Sequence, residues 1–264
     1  MRQIRIKPQA LNFSESQGIR YLHFGTPWIQ GAMRLSQPHK LVLDYTQDMM
    51  AWLMLLAAPS HLLQLGLGAG SCARFLAHYL PTTRQTIVEL HHEVILANHI
   101  MFGTTSSPSI TLVCDDANRF LQNTKAGYWP LIMVDLYDAK ATGPACDGLD
   151  FYQHCYRALT APGLMVLNLF GSHPSWAPNL RVLCDAFERR PLVLNPSRAG
   201  NVIVIASKGP CMRWPELQSG RALEAFLSER AKLLQSSLKL PARRWLGPIR
   251  TYLQGPDPCL FRRV

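Results

Sequence analysis

No hydrophobic run in this sequence is long enough to cross a bilayer, because the longest apolar stretch, residues 49–59, falls well short of the roughly 20 residues that a transmembrane helix needs. Residues 1–7 also lack the apolar core of a signal peptide. The seven cysteines are odd in number, and none stands in a CxxC or Cys/His ligand spacing, which argues against a disulfide framework and a metal site. We therefore predict a cytoplasmic protein with no membrane partner and no bound metal.

Acidic residues are scarce: 17 Asp and Glu stand against 27 Lys and Arg, which gives a net charge of +10. The excess lies mainly in residues 208–264, where 11 basic residues face 4 acidic ones, whereas residues 31–207 are balanced at 12 of each. A basic end of this kind can bind a nucleic acid or another anionic partner. No aromatic-interleaved basic stripe or helix-turn-helix pattern accompanies it, so we predict a solvated helical face and leave nucleic-acid binding open.

The arrangement of apolar segments predicts an α/β fold. Short segments at 4–6, 19–24, 28–35 and 41–45 predict a small N-terminal β element, followed by a helix over 46–58. Beyond it, apolar strands alternate with helices, which predicts right-handed βαβ units and a doubly wound, mostly parallel, Rossmann-like sheet covered on both faces. The predicted strands are 62–65, 86–90, 110–114, 131–135, 164–169 and 202–206, and the predicted helices are 71–80, 92–102, 117–123, 149–159 and 176–189.

This pattern divides the chain into three parts. Residues 1–58 form the small N-terminal β element with its helix, residues 59–210 a Rossmann-like nucleoside-binding domain, and residues 211–264 a basic helical C-terminal extension. Within the extension, a helix near 217–238 precedes an irregular basic tail. The length suits one generous domain with a small appendage.

A glycine turn follows the first predicted strand of the large sheet. Gly66, Gly68 and Gly70 alternate there, and without a Cβ each lets the backbone turn sharply and approach a ligand closely. Ser71 stands where a dinucleotide fingerprint has its third small residue, which favours a ligand without a pyrophosphate. Glu89 ends the next strand and is placed to bind a ribose diol. The pattern predicts a nucleoside-containing ligand.

Acidic residues also follow the next two strands. Asp115 and Asp116 come directly after the strand 110–114, where one can cap the following helix and the other can accept a hydrogen bond from an exocyclic amine such as that of adenine. Asp135 ends the strand 131–135, and Asp138 follows it three positions later. Because the carboxyl ends of parallel strands meet at one edge, the sequence predicts a crevice lined with carboxylates.

These motifs resemble the spermidine/spermine synthase (polyamine aminopropyltransferase) family, a branch of the class I S-adenosylmethionine-dependent methyltransferase fold. The most specific segment is Asp-Leu-Tyr-Asp at 135–138, followed by Gly-Pro-Ala at 143–145, although the connection is two residues longer than in the family. The glycine turn is similar to the family's motif I, and residues 149–152 and 159–163 are similar to its helix and the turn into its fifth strand.

The resemblance implies a reaction. The amine of a di- or polyamine attacks the aminopropyl carbon of decarboxylated S-adenosylmethionine, a co-substrate rather than a permanently bound cofactor, and methylthioadenosine leaves. Asp135 is expected to act as base and to orient the amine, and Asp138 and Tyr45 are expected to anchor the amine. The cofactor-binding set is expected to comprise Gln30, Gly66, Gly68, Gly70, Glu89, Asp115 and Asp116. The resemblance also implies a homodimer.

Two departures keep other functions open. Ala69 stands where the family has an acidic residue inside the glycine turn, and Gln47 stands where it has a glutamate after the tyrosine. Both missing carboxylates would meet cationic amines, and loss of the first removes a repulsion against the carboxylate of intact S-adenosylmethionine. A methyltransferase that uses intact S-adenosylmethionine, and a non-catalytic module that binds an anionic partner through its basic end, are therefore retained as alternatives.

Overall fold

The computed structural model describes residues 10–104, 107–137, 147–209 and 220–254, which form ten strands and eight α-helices. The strands are β1 (Asn12–Ser16), β2 (Ile19–His23), β3 (Ile29–Arg34), β4 (His61–Leu65), β5 (Arg84–Glu89), β6 (Ile110–Cys114), β7 (Trp129–Val134), β8 (Leu159–Phe170), β9 (Leu192–Val193) and β10 (Asn201–Lys208). The helices are α1 (Asp44–Asp48), α2 (Ser71–Tyr79), α3 (His92–Ala97), α4 (Ala117–Asn123), α5 (Leu149–Ala158), α6 (Trp176–Phe187), α7 (Gly220–Leu238) and α8 (Leu246–Leu253).

The larger sheet has seven strands in the order β6-β5-β4-β7-β8-β10-β9. The first five are parallel, whereas β10 runs antiparallel to β8 and β9 antiparallel to β10. Helices cover both faces, so the central strands are apolar on both sides: Leu62, Leu63 and Leu65 of β4 are all buried. The predicted α/β, mostly parallel architecture is confirmed.

The smaller sheet is an antiparallel meander of β1, β2 and β3 that packs over the glycine turn. The Ser71 hydroxyl, at the start of α2, donates a 2.9 Å hydrogen bond to the backbone oxygen of Ala32 in β3. Gly31 of β3 lies so close to Ala69 that a Cβ at Gly31 would be 2.5 Å from the Ala69 Cβ. The two sheets therefore meet at the turn that the sequence singled out.

The segment between the two sheets differs from the prediction. The strand predicted at 41–45 is wrong, because α1 begins at Asp44 and the Thr46 hydroxyl bonds the backbone oxygen of Leu43. The helix predicted over 46–58 ends early, since a 3₁₀ helix follows α1 over Met49–Met54. Strand β1 was not predicted, because all five of its residues are exposed and show no apolar alternation. The strand predicted at 4–6 lies outside the described residues.

The C-terminal extension packs on the core. Helix α7, a 3₁₀ turn over Ala242–Trp245 and α8 bury their apolar side chains against the Met49–Met54 segment. The helix predicted near 217–238 agrees with α7, but the irregular tail predicted after it is wrong as far as Leu253, where α8 ends. No helix within the described ranges has the length and apolar character needed to traverse a membrane.

Candidate functional site

A cavity of about 650 Å³ opens at the carboxyl ends of the parallel strands, between the large sheet and the loop that joins β2 to β3. Of the predicted site residues, the cavity is lined by Gln30, Tyr45, Gly66, Gly68, Glu89 and Asp135. Gly70, Asp115 and Asp116 lie outside its lining, and Asp138 lies outside the described residues. The structure thus brings together six side chains or turn positions from five separate segments of the chain.

The glycine turn is required sterically at both ends. Gly66 has φ +91°, and a Cβ there would be 2.2 Å from the backbone oxygen of Asp135. Gly70 has φ +67°, and its Cβ would meet the Thr104 hydroxyl at 2.2 Å. Only glycine accepts these positive φ values without strain. The turn is therefore packed against β7 on one side and against the segment after α3 on the other, with Gly68 facing the cavity between them.

Glu89 is fixed by the backbone around it. Its Oε2 accepts a 3.0 Å hydrogen bond from the Leu67 amide in the glycine turn, and its Oε1 accepts a 2.9 Å bond from the His91 amide. Burial raises the pKa of the carboxyl, and the two amide donors oppose this by stabilising the charge. Each oxygen keeps a further lone pair for a hydroxyl donor. The side chain can therefore take the two hydroxyls of a ribose.

Asp135 is a further carboxylate of the cavity besides Glu89, and it accepts the first of a series of side-chain hydrogen bonds. The Asn168 amide donates to its Oδ1 at 2.9 Å, and Asn201 donates to the Asn168 side-chain oxygen at 3.1 Å. The Tyr45 hydroxyl also donates to the Asp135 carboxylate. Burial raises the pKa of Asp135, while the donors Asn168 and Tyr45 lower it. The pKa of Tyr45 is well above its usual value, because the hydroxyl is buried beside Asp135. This carboxylate is ordered, and suited to accept a proton or an ammonium donor.

The acidic pair after β6 has local partners. Asp116 is the N-cap of α4, and its Oδ1 accepts a 2.9 Å hydrogen bond from the Arg119 amide. Asp115 forms an ion pair with the Arg119 guanidinium. The Asp115 amide donates to the backbone oxygen of Glu89 at 3.0 Å, which places the acidic pair next to Glu89. Its role at an adenine stays a prediction.

Two polar atoms at the cavity have no hydrogen-bond partner among the described residues. They are the Gln30 side-chain amide nitrogen and His91 Nδ1, and both are buried. An unpaired buried donor is costly, so such atoms mark places where a ligand can supply the partner. Trp28 and Ile29 form an apolar edge beside them, with Trp28 64% exposed.

Several lining residues were not predicted: Asp44, His91, Asn168, Arg198 and Asn201. Asn168 gave a usable signal, because it interrupts the apolar strand 164–169. The others stand in loops or at element ends, where only the fold shows which way they face. Both departures from the family pattern lie outside the lining that the described residues form. Ala69 packs against Gly31, and the Gln47 amide donates to the backbone oxygen of Leu41.

Comparison with known proteins gives concordant results. The model of the spermine/spermidine synthase domain matches residues 43–175. A polyamine aminopropyltransferase of Neisseria meningitidis is 32% identical over 209 residues, which cover 76% of this chain and 79% of that protein. A probable spermidine synthase from Corynebacterium glutamicum aligns with a TM-score of 0.65 at 19% identity, covering 96% of this chain and 94% of the other. Human methyltransferase-like protein 13 in complex with SAH aligns with a TM-score of 0.62 at 22% identity, covering 75% and 93%. At these identities the structural likeness shows the fold alone.

Proposed function

The chain belongs to the spermine/spermidine synthase family, and we propose that it transfers an aminopropyl group from decarboxylated S-adenosylmethionine to a nitrogen of a di- or polyamine. A nitrogen–carbon bond forms as the carbon–sulfur bond breaks. The sulfonium sulfur keeps the electron pair of the broken bond and leaves as methylthioadenosine, and the attacking ammonium gives up one proton. The reaction requires a nucleoside site, an amine site and a base between them.

The nucleoside is proposed to lie against the glycine turn. Glu89 binds the ribose hydroxyls, Gly68 allows the close approach of the ligand, and Gln30 donates its unpaired amide. Asp115 and Asp116 remain candidates for the adenine end. The sulfonium would then lie towards Asp135, since both the glycine turn and Asp135 border the same cavity.

The amine is proposed to lie between α1 and β7. Asp135 takes the proton from the attacking nitrogen, and its raised pKa brings it nearer to the working pH of a general base. Tyr45 orients the carboxylate, and Asp44 adds a second negative charge to the lining. Proximity and electrostatic attraction supply much of the acceleration, because the sulfonium is already a good leaving group. The observation that carries the proposal is this ordered carboxylate facing a ribose-binding glutamate across one cavity.

One observation favours a second candidate, methyl transfer from intact S-adenosylmethionine. Arg198 is the sole Lys or Arg among the described residues that line the cavity. A guanidinium there can pair with the carboxylate that decarboxylated S-adenosylmethionine lacks.

The experiment that separates these functions is calorimetric titration with both nucleosides, followed by an assay of methylthioadenosine release with a diamine. Aminopropyl transfer predicts tighter binding of the decarboxylated form and release that depends on the diamine. Equal or reversed affinity without release would favour methyl transfer. If neither nucleoside binds, the non-catalytic alternative stands, and salt-sensitive retention on heparin would support it.

Asp135→Asn tests the base directly. We expect turnover to be abolished while the dissociation constant for decarboxylated S-adenosylmethionine stays within a few-fold, because the amide keeps the shape of the side chain but does not accept the proton. Unchanged turnover would assign Asp135 a structural role.

A further inference from the structure

Asp48 is a buried carboxylate that is held from the far end of the chain. Its side chain lies at the end of α1 and is 2% exposed. Its Oδ1 accepts a 2.7 Å hydrogen bond from the Trp245 indole and a 2.5 Å bond from the Arg244 guanidinium. These partners lie almost 200 positions later, in the 3₁₀ turn of the C-terminal extension. A buried charge needs such partners, because a lone carboxylate is strongly destabilised away from water.

The same short helix carries the amine side of the cavity. Asp44 and Tyr45 line the cavity, and Tyr45 donates to Asp135. Asp48 follows Tyr45 by three positions, which is about one helical turn. Helix α1 has only five residues and no side-chain cap at its start, so its position depends on tertiary contacts.

Further contacts from the extension hold the segment that follows α1. The Arg230 side chain of α7 donates a 2.9 Å bond to the backbone oxygen of Leu53. Trp245 is 1% exposed and packs in the cluster that contains Met49–Met54. The segment after α1 is thus clamped by two elements of the extension.

We propose that Arg244 and Trp245 are positioning residues for amine binding: by holding Asp48, they place α1 so that Tyr45 reaches Asp135. The inference rests on the proposed function and assigns the C-terminal extension a part in the reaction. Within residues 220–254, the described part of the extension, none lines the cavity, so these residues are expected to act on the amine half through α1 alone.

The pH profile provides a readout that a purely structural role would not move. Among the described residues, the titratable groups that act on Asp135 are Tyr45 from α1, Cys72 from α2 and Tyr137, which follows β7. Only Tyr45 is carried by α1. The base must be ionised, so activity is present above the pKa of Asp135. Because the Tyr45 hydroxyl lowers this pKa, a displaced Tyr45 raises it and shifts the acidic limb of the profile to higher pH.

The test compares Trp245→Phe, which keeps a ring but removes the N–H donor, with Tyr45→Phe, which removes the hydroxyl itself. We expect both to lower kcat/KM for the diamine by about 10-fold or more, and to move the acidic limb upwards. The dissociation constant for methylthioadenosine should stay within about twofold, and the double variant should be little worse than either single one, because both act through one contact. Activities are normalised to the fraction of molecules that bind methylthioadenosine.

Arg250→Ala is the matched control. It breaks the ion pair with Glu224, which joins α8 to α7 without reaching α1, and should leave both constants and the profile unchanged. Arg244→Gln is the second variant. The Arg244 side chain is 38% exposed, so its replacement disturbs the packing less than a change at the buried Trp245.

An unshifted acidic limb in Trp245→Phe or Arg244→Gln, or fully additive losses in the double variant, would overturn the inference. Failure of the proposed function has a different signature: the wild-type protein itself would bind no diamine and release no methylthioadenosine. Normal wild-type turnover with unaffected variants contradicts the positioning role alone.

Discussion

At the scale of single residues, the two carboxylates of the cavity differ in the donors that surround them. Both oxygens of Glu89 accept backbone amides, so its orientation follows from the main chain of the glycine turn and of the segment before α3. Asp135 depends instead on side chains, Asn168 and Tyr45, which come from different elements. The proposed ribose site is therefore held by nearby backbone, whereas the proposed base is held by side chains from several elements of the fold.

Glu89→Gln tests the ribose site. The amide loses the charge that strengthens hydrogen bonds to hydroxyls, and its NH₂ group faces one of the two backbone amides. We expect the affinity for methylthioadenosine, measured by calorimetry, to fall by about 10- to 100-fold.

The neighbouring Glu93→Gln, in the first turn of α3 and away from the cavity lining, is the control and should bind normally. Equal affinity of Glu89→Gln and the wild-type protein would remove Glu89 from the site.

At the scale of elements, the glycine turn joins two separate requirements. Gly70 needs a positive φ, and it also has no room for a Cβ beside Thr104 and Asn98. Gly127 has a similar φ of +64° but faces open space. An alanine at Gly127 would therefore suffer backbone strain alone, whereas an alanine at Gly70 would suffer both backbone strain and steric overlap.

Gly70→Ala should lower the free energy of unfolding by about 3 kcal/mol or more, because strain and overlap combine. Gly127→Ala should lower it by only about 1 to 2 kcal/mol, from the left-handed backbone alone. Urea denaturation of both variants measures the difference. Equal losses would show that the turn relaxes around the added methyl group.

The elements of the large sheet could be predicted because their signals are local. Short apolar runs identified six of its seven strands, and the alternating glycines identified the turn. Strand β9, with two residues, and the exposed β1 carry no such signal. Residues 49–55 are all buried, so this stretch shows no periodicity that would distinguish an α-helix from the 3₁₀ helix found there.

At the scale of the whole molecule, the comparisons confirm the predicted family, and with it a transferase of the polyamine aminopropyltransferase kind. The Asp-x-x-Asp segment and the glycine turn carried that recognition. Asn201 and Asp44 could not be found from the sequence pattern, since they approach the cavity only once β10 and α1 are assembled. The three-part division of the chain, the cytoplasmic location and the homodimer stay predictions.

The extension also contributes to stability, and Trp245→Ala measures this contribution. Removing a fully buried indole that packs on Met49–Met54 should lower the free energy of unfolding by about 3 to 5 kcal/mol. Leu233→Ala, at an exposed position of α7, is the control and should change it by less than about 1 kcal/mol. Similar small losses in both variants, measured in urea, would show that the extension is only loosely attached.

The contact between Gly31 and Ala69 has a consequence for descent within the family. A methyl group at position 31 would collide with the one at position 69, so the two positions form a linked pair in which the size of one side chain limits the other. A relative with a larger, acidic side chain at position 69 must also accommodate β3, which packs against that position. Positions 31 and 69 are therefore expected to covary among relatives. A change in the glycine turn should be accompanied by a change in β3 of the small sheet.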